Sequence, residues 1–165
     1  MTLRETMQQH QALALKGDPA ACREPIGGIT VQSGGMRTEG TFGRHVVIVD
    51  EPKVFGGDDT AANPAEVLLA ALATSVSVTL RCNAALQGVK VGRIQVDVQG
   101  DLDIRGFFDT DPKVRSGFQS ISLEIQVESD ATPEQLQRVL AATERGCPML
   151  DTCRDATPIK IGLSR

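Results

Sequence analysis

The sequence has no tryptophan and no tyrosine, and its five phenylalanines are its whole aromatic content, 3% of 165 residues. A core built from it must be aliphatic. The scarcity also argues against single-stranded nucleic acid as a ligand, because such strands are held by stacking on rings. Positive charge is short too: 17 Lys and Arg face 21 Asp and Glu, a net charge of −4, which disfavours a phosphate-backbone partner. There are two histidines, His10 and His45, far apart in the chain, and Cys147 to Cys153 lacks zinc spacing. With no nucleotide-binding glycine fingerprint either, no metal and no cofactor are expected. The longest apolar run, Val67 to Leu80, lies between Glu66 and Arg81 and falls short of the ~18 uncharged residues of a membrane span. Residues Met1 to Lys16 lack the apolar stretch of an export signal. Four scattered cysteines, Cys22, Cys82, Cys147 and Cys153, do not make a secreted disulfide framework. The expectation is a cytoplasmic protein, in which a cysteine is either a small buried hydrophobe or a reactive group.

What is present is enough apolar material, 41% of the chain, for one globular α+β domain. Thr2 and Glu5 make a capping-box pair at the start of a short helix that Gly17-Asp18-Pro19 ends. Extended segments follow at Ile29 to Ser33, Met36 to Phe42 and His45 to Asp50, and the β-branched run Val46 to Val49 reads as a strand buried on both faces. After the glycine and aspartate loop Phe55 to Thr60, the run Asn63-Pro64-Ala65-Glu66 begins a helix: Asn63 caps, Pro64 suits the first position and Glu66 reaches back. That helix extends to about Leu86 and Gly88. From Val67 to Ala73 it has no polar face, so something must surround it.

Two alternating segments come next, the first with Ile94, Val96, Val98, Leu102 and Ile104 in one parity and a late start or bulge at Gly92-Arg93. The second carries Ile121, Leu123, Ile125 and Val127. Thr132 to Gln135 forms a second capping box, opening a helix with Leu136, Val139, Leu140 and Thr143 on one face. Gly146 stops it, Cys147-Pro148 starts a short helical turn, and Ile159, Ile161 and Leu163 predict a final strand.

Two motifs carry a resemblance. Gly56-Gly57-Asp58-Asp59 followed by Asn63 to Ala73, and later Cys147-Pro148-Met149-Leu150-Asp151-Thr152, resemble the central helix and the second-cysteine motif of the OsmC/Ohr family. Arg105-Gly106-Phe107-Phe108 and Ser116-Gly117-Phe118 are similar to a loop of one OsmC-like branch. The resemblance spans residues 29–165 as an OsmC-like domain, with residues 1–28 a helical extension outside it. It implies antiparallel-rich sheets around a buried central helix, in a domain-swapped, obligate homodimer with sites at the subunit interface.

The activity implied is thiol-dependent reduction of organic hydroperoxides in peroxide detoxification and stress response. One cysteine attacks the peroxide, a second condenses with the sulfenic acid, and a dithiol reduces the disulfide. An arginine and a glutamate hold the first sulfur as thiolate. The attacking position, eleven residues after Pro64, is here Ser75, and the glutamate position is Ala65. The arginine matches Arg37 and the second cysteine matches Cys147. Standard two-cysteine activity is therefore expected to be weak or lost. Two other readings stay open: a dimer that binds a small apolar molecule, and a one-thiol redox enzyme using Cys147. The Cys-Pro helix start itself fits a reactive thiol or an inert structural one. Arg37 reads equally as a solvated strand residue, Asp58 and Asp59 as turn formers, and Cys82 and Cys153 as core side chains. Cys82, seven residues past Ser75, is about 10 Å further along the helix, too far to share its site.

Overall fold

In a computed structural model, which describes residues 1–164, the chain forms α1 (Leu3–Leu15), β1 (Ile29–Val31), β2 (Thr38–Phe42), β3 (His45–Val49), α2 (Pro64–Gln87), β4 (Ile94–Asp101), α3 (Ile104–Phe107), β5 (Ser120–Val127), α4 (Pro133–Gly146) and α5 (Pro148–Arg154). Every pairing is antiparallel: β1–β2–β3 make one sheet and β4–β5 another. The chain divides into two compact units, one of Met1–Met7 with the chain from Leu72 onward, the other Gln8–Ala71.

The unit that begins at Leu72 contains the apolar core. Leu72, Val76, Leu80 and Ala84 recur at four-residue intervals along α2, so they form one stripe, and all four are buried. The first two meet Cys147 and Leu150, with Val96, Ile121, Leu123 and Ile125 of the β4–β5 sheet packed against them. Leu80 and Ala84 meet Val89 and Val139, with Ile94, Val127 and Leu136 at the edge. Each large aliphatic side chain in that stripe contributes about 1.5–3 kcal/mol by leaving water. β5 alternates as predicted, its apolar residues half-buried and its polar ones exposed. β4 starts late, at Ile94, because Gly92 and Arg93 are engaged by Glu128. It ends at Asp101, before Leu102 and Ile104 can extend the alternation: Asp103 accepts from the Arg105 amide and caps α3 instead. The Thr132 capping box is formed on both sides.

α2 has 24 residues and the length and mean hydropathy of a membrane span. Its buried stripe against β4–β5 makes it the core helix of this unit. Away from that stripe, Leu68 and Val78 are 43% and 63% exposed in the single chain.

Within Gln8–Ala71 the three-stranded sheet pairs in register, Gly40 opposite Val47 and Glu39 opposite Ile48. The predicted double burial of Val46 to Val49 is not found; Val46, Val47 and Ile48 are exposed. β-Branched residues favour the strand conformation, but burial requires a packing layer that the chain does not supply to them. The loop before α2 is tied to Asp50, whose side chain is 1% exposed. It accepts from the amides of Glu51, Asp58 and Thr60 and from the Thr60 hydroxyl at 2.8–3.3 Å. The Thr60 amide and hydroxyl lead in holding this carboxyl below its usual range, with the Glu51 and Asp58 amides adding to them against the opposing effect of burial. Glycine is required at Gly56, where φ is 86°, and at Gly57, where a Cβ would fall on the Glu51 carbonyl. Asp58 and Asp59 serve this turn, as their turn chemistry suggests.

Two further expectations are corrected. Residues 156–164 form no regular element and pair with no strand among the described residues, and Ile159, Ile161 and Leu163 are exposed; alternation assigns the faces of a strand, but a strand also needs an edge to join. Cys153 is exposed rather than in the core, since α5 buries Leu150 in its first turn and Cys153 lies one turn later, at the solvent end.

Candidate functional site

The site is built where α2 passes the junction of α4 and α5. At the start of α2 the Asn63 side chain accepts from the Glu66 amide at 2.9 Å, and Glu66 accepts from the Asn63 amide at 2.8 Å. The Glu66 carboxylate is thus committed to the cap, and Ala65 provides no acid. Three turns later Ser75 lies half-buried beside Val76.

Cys147 closes α4 by donating its amide to the Thr143 carbonyl at 3.0 Å, and opens α5 by accepting from the Asp151 amide at 3.1 Å. Pro148 takes the first position of α5, where no amide is needed. Fixed from both sides, Cys147 is 1% exposed and sits between Leu72, Val76 and Leu150. Its Sγ is 3.3 Å from Ser75 Oγ. The structure therefore brings together two residues 72 positions apart in sequence, both singled out from sequence alone.

The electrostatics at Cys147 are a contest. Burial is the largest influence and pushes the thiol up. Against it act the Ser75 hydroxyl, the Leu150 amide, the Thr79 hydroxyl and the Met149 amide, and the outcome is a thiol held below its ordinary value. Once the sulfur is a thiolate it has no proton, so Ser75 must be the donor across the 3.3 Å contact. Such a sulfur can act as a nucleophile. All four cysteines are free.

Arg37 belongs to the other compact unit. It precedes β2, lies 3.7 Å from the Glu39 carboxylate with about half of each side chain exposed, and helps line an open groove of about 530 Å³ with Ile29, Val31 and Thr41. The solvated reading describes its setting in that unit. Cys82 is half-buried and Cys22 is exposed. Among the described residues no cluster of three His, Cys, Asp or Glu could hold a metal ion.

Two residues escaped the sequence reading. Thr79 was detectable as a polar residue four positions after Ser75, hence on the same helical face. Asp50 was detectable only as an aspartate ending a β-branched run, a signal too common to single it out.

The comparisons agree on one fold. The family model described as OsmC-like protein matches residues 56–162, well over half of the chain. An OsmC-like protein from Mycoplasma pneumoniae has a similar structure, with TM-score 0.69 and 16% identity, over 81% of this chain and 89% of that one. An organic hydroperoxide resistance protein OsmC from Legionella pneumophila gives 0.61 and 18%, over 80% and 92%. An organic hydroperoxide resistance protein from Elizabethkingia anophelis gives 0.57 and 19%, over 81% and 91%. At such identities these structures speak to the fold alone, and no curated protein matches the chain. With the family model spanning both the central helix and the Cys-Pro motif, this chain belongs to the family of OsmC-like proteins.

Proposed function

We propose that this protein is a thiol-dependent member of the hydroperoxide-reductase lineage whose two-cysteine cycle is interrupted at its first step. The observation that carries this reading is the 3.3 Å contact between Ser75 Oγ and Cys147 Sγ. A disulfide-forming pair needs two sulfurs at this kind of proximity, and here one of them is oxygen. A serine hydroxyl is hardly ionised near neutral pH and cannot become a sulfenic acid, so the attacking role is vacant. The names of the Legionella and Elizabethkingia neighbours, both organic hydroperoxide resistance proteins, support hydroperoxides as the ancestral substrate class.

The test restores the missing atom. In Ser75→Cys, organic hydroperoxide is expected to drive a disulfide to Cys147, read by mass spectrometry as a loss of about two hydrogens that a dithiol reverses. Wild-type protein is expected to form no such bond and to turn over cumene hydroperoxide poorly with a dithiol. Robust wild-type turnover, or no disulfide in Ser75→Cys, contradicts the reading.

A second reading is favoured by the lowered thiol of Cys147: a one-thiol enzyme. The Cys147 thiolate attacks the terminal peroxide oxygen, an S–O bond forms as the O–O bond breaks, and the alkoxide takes up a proton and leaves as alcohol. A dithiol then reduces the sulfenic acid to thiol and water, becoming a disulfide itself.

The assembly that fits both readings is a homodimer. Its support is apolar surface with nothing over it in one chain: Val46, Ile48, Leu68 and Val78, and the unpaired residues Ile159, Ile161 and Leu163.

A further inference from the structure

The helical extension, outside the region that the family model matches, builds a groove of its own. Gly17 ends α1 with a left-handed φ of 73°, and the Lys16 and Gly17 amides donate to the Leu13 and Ala14 carbonyls at 3.1 Å. Asp18 then turns the chain. Its carboxylate accepts from the Ala20 amide at 3.0 Å, and its carbonyl accepts from the Cys22 amide at 3.2 Å. His10 and Leu13, three residues apart and so on one face of α1, join Cys22, Arg23, Glu24 and Pro25 around an open groove of about 300 Å³.

The lining brings a free, exposed thiol together with an imidazole, a guanidinium and a carboxylate. Cys147 is 1% exposed, so a solute reaches Cys22 far more readily. Exposure alone does not select a reactant, since Cys153 is exposed as well; the charges in the groove do. The Arg23 guanidinium is matched by a carboxylate, and the Glu24 carboxylate by an ammonium. An α-amino acid carries both on a single carbon. A solute with charge of one sign only meets one matching group and one opposing group. Leu13 and Pro25 offer apolar wall to a methylene beside the sulfur.

We propose that this groove is a modification site, at which Cys22 is reversibly thiolated by a zwitterionic amino-acid disulfide of the cystine type. The step balances without a further oxidant. Cys22 gives up its thiol proton, which the imidazole of His10 in the same groove is suited to take up. The thiolate attacks one sulfur of the disulfide, a new S–S bond forms as the old one breaks, and the departing thiolate regains a proton as free thiol. The disulfide is the oxidant, Cys22 ends as a mixed disulfide, and a dithiol reverses the reaction. Neither Ser75 nor Cys147 takes part, so the site is independent of the readings above.

The experiment measures the rate at which the Cys22 peptide of the full chain gains a half-disulfide, by mass spectrometry, with three reagents. Cystine carries both charges, cystamine only ammonium groups, and 3,3′-dithiodipropionate only carboxylates. Each rate is divided by that of the same chain unfolded in urea, which cancels the intrinsic reactivity of the reagent and the effect of sequence neighbours. The folded-to-unfolded ratio at Cys22 is expected to be several-fold higher for cystine than for either other reagent. Arg23→Gln and Glu24→Gln are each expected to lower the cystine ratio several-fold, with circular dichroism checking that the variants are folded. If a variant is not, the three-reagent comparison on the wild-type chain decides alone. Equal ratios for the three reagents overturn the proposal, as does a cystine preference that survives both substitutions.

Discussion

The unit from Leu72 onward and the unit Gln8–Ala71 use the same kinds of apolar residue with opposite results. In the first, Leu72, Val76, Leu80, Val139 and Leu150 are all buried and a two-stranded sheet closes over them. In the second, Ile29, Val31, Val46 and Ile48 form well-registered strands whose side chains remain exposed. The difference lies in the layers available. A sheet with a helix seated on it has a core, whereas a sheet alone has only its hydrogen bonds and whatever a partner brings. The Ser75–Cys147 contact lies in the unit that has its own core, where packing can hold the two side chains in a fixed geometry.

The contrast is broken most severely by charging the first unit's core. Leu72→Asp puts a carboxylate where the side chain is 2% exposed, a burial that costs several kcal/mol even when the group neutralises. The expected outcome is loss of the folded state, seen as collapse of the circular dichroism signal, rather than a soluble, folded monomer. The second unit answers a different question. If a second copy covers its sheet, Ile48→Asp shifts sedimentation from dimer towards monomer and lowers the thermal midpoint. If the strand is solvated in solution, the substitution stays within about 0.5 kcal/mol, as ordinary surface changes do, and a monomeric wild-type protein sinks the dimer outright. The smallest effect sharpens the picture without touching either interface. Thr132→Ala removes one half of the capping box of α4, and is expected to cost about 1 kcal/mol in denaturant unfolding while leaving the Cys147 titration unchanged.

That titration has a definite sign. The Cys147 thiol is lowered on folding, so the folded state binds its proton less readily than the unfolded chain does. The stabilisation from the thiolate is complete above the unfolded value, about 8.5, and is lost as the pH falls through the lowered folded value. Removing the Ser75 hydroxyl, which touches the sulfur, narrows that window from below.

Some of this was legible without coordinates. The three helix starts at Thr2, Asn63 and Thr132 were readable because a cap is a local device: a side chain and an amide three residues apart. The clean alternation of β5 was readable for the same reason. Ser75 and Cys147 were identified from motifs, and their roles there came from resemblance; their contact spans 72 positions, which no local pattern encodes. Two of the misreadings were of one kind. Val46 to Val49 and Ile159 to Leu163 carry the composition of buried strands, but composition does not say what lies above them. Cys153 directly follows the Cys147-to-Thr152 motif, yet one turn beyond the buried Leu150 it is exposed.

The sequence by itself determined where α1, α2 and α4 begin, which positions of β5 alternate, and that a serine stands at position 75. The tertiary structure decided the rest: that α2 is seated on β4–β5 along one stripe, and that Asp50 gathers the loop before it. It also decided that the Ser75 hydroxyl meets one buried sulfur, that of Cys147. The reason is physical. Caps and alternation are set by neighbours within a few residues, whereas burial and long-range contact depend on which surfaces meet, and that is a property of the whole folded chain.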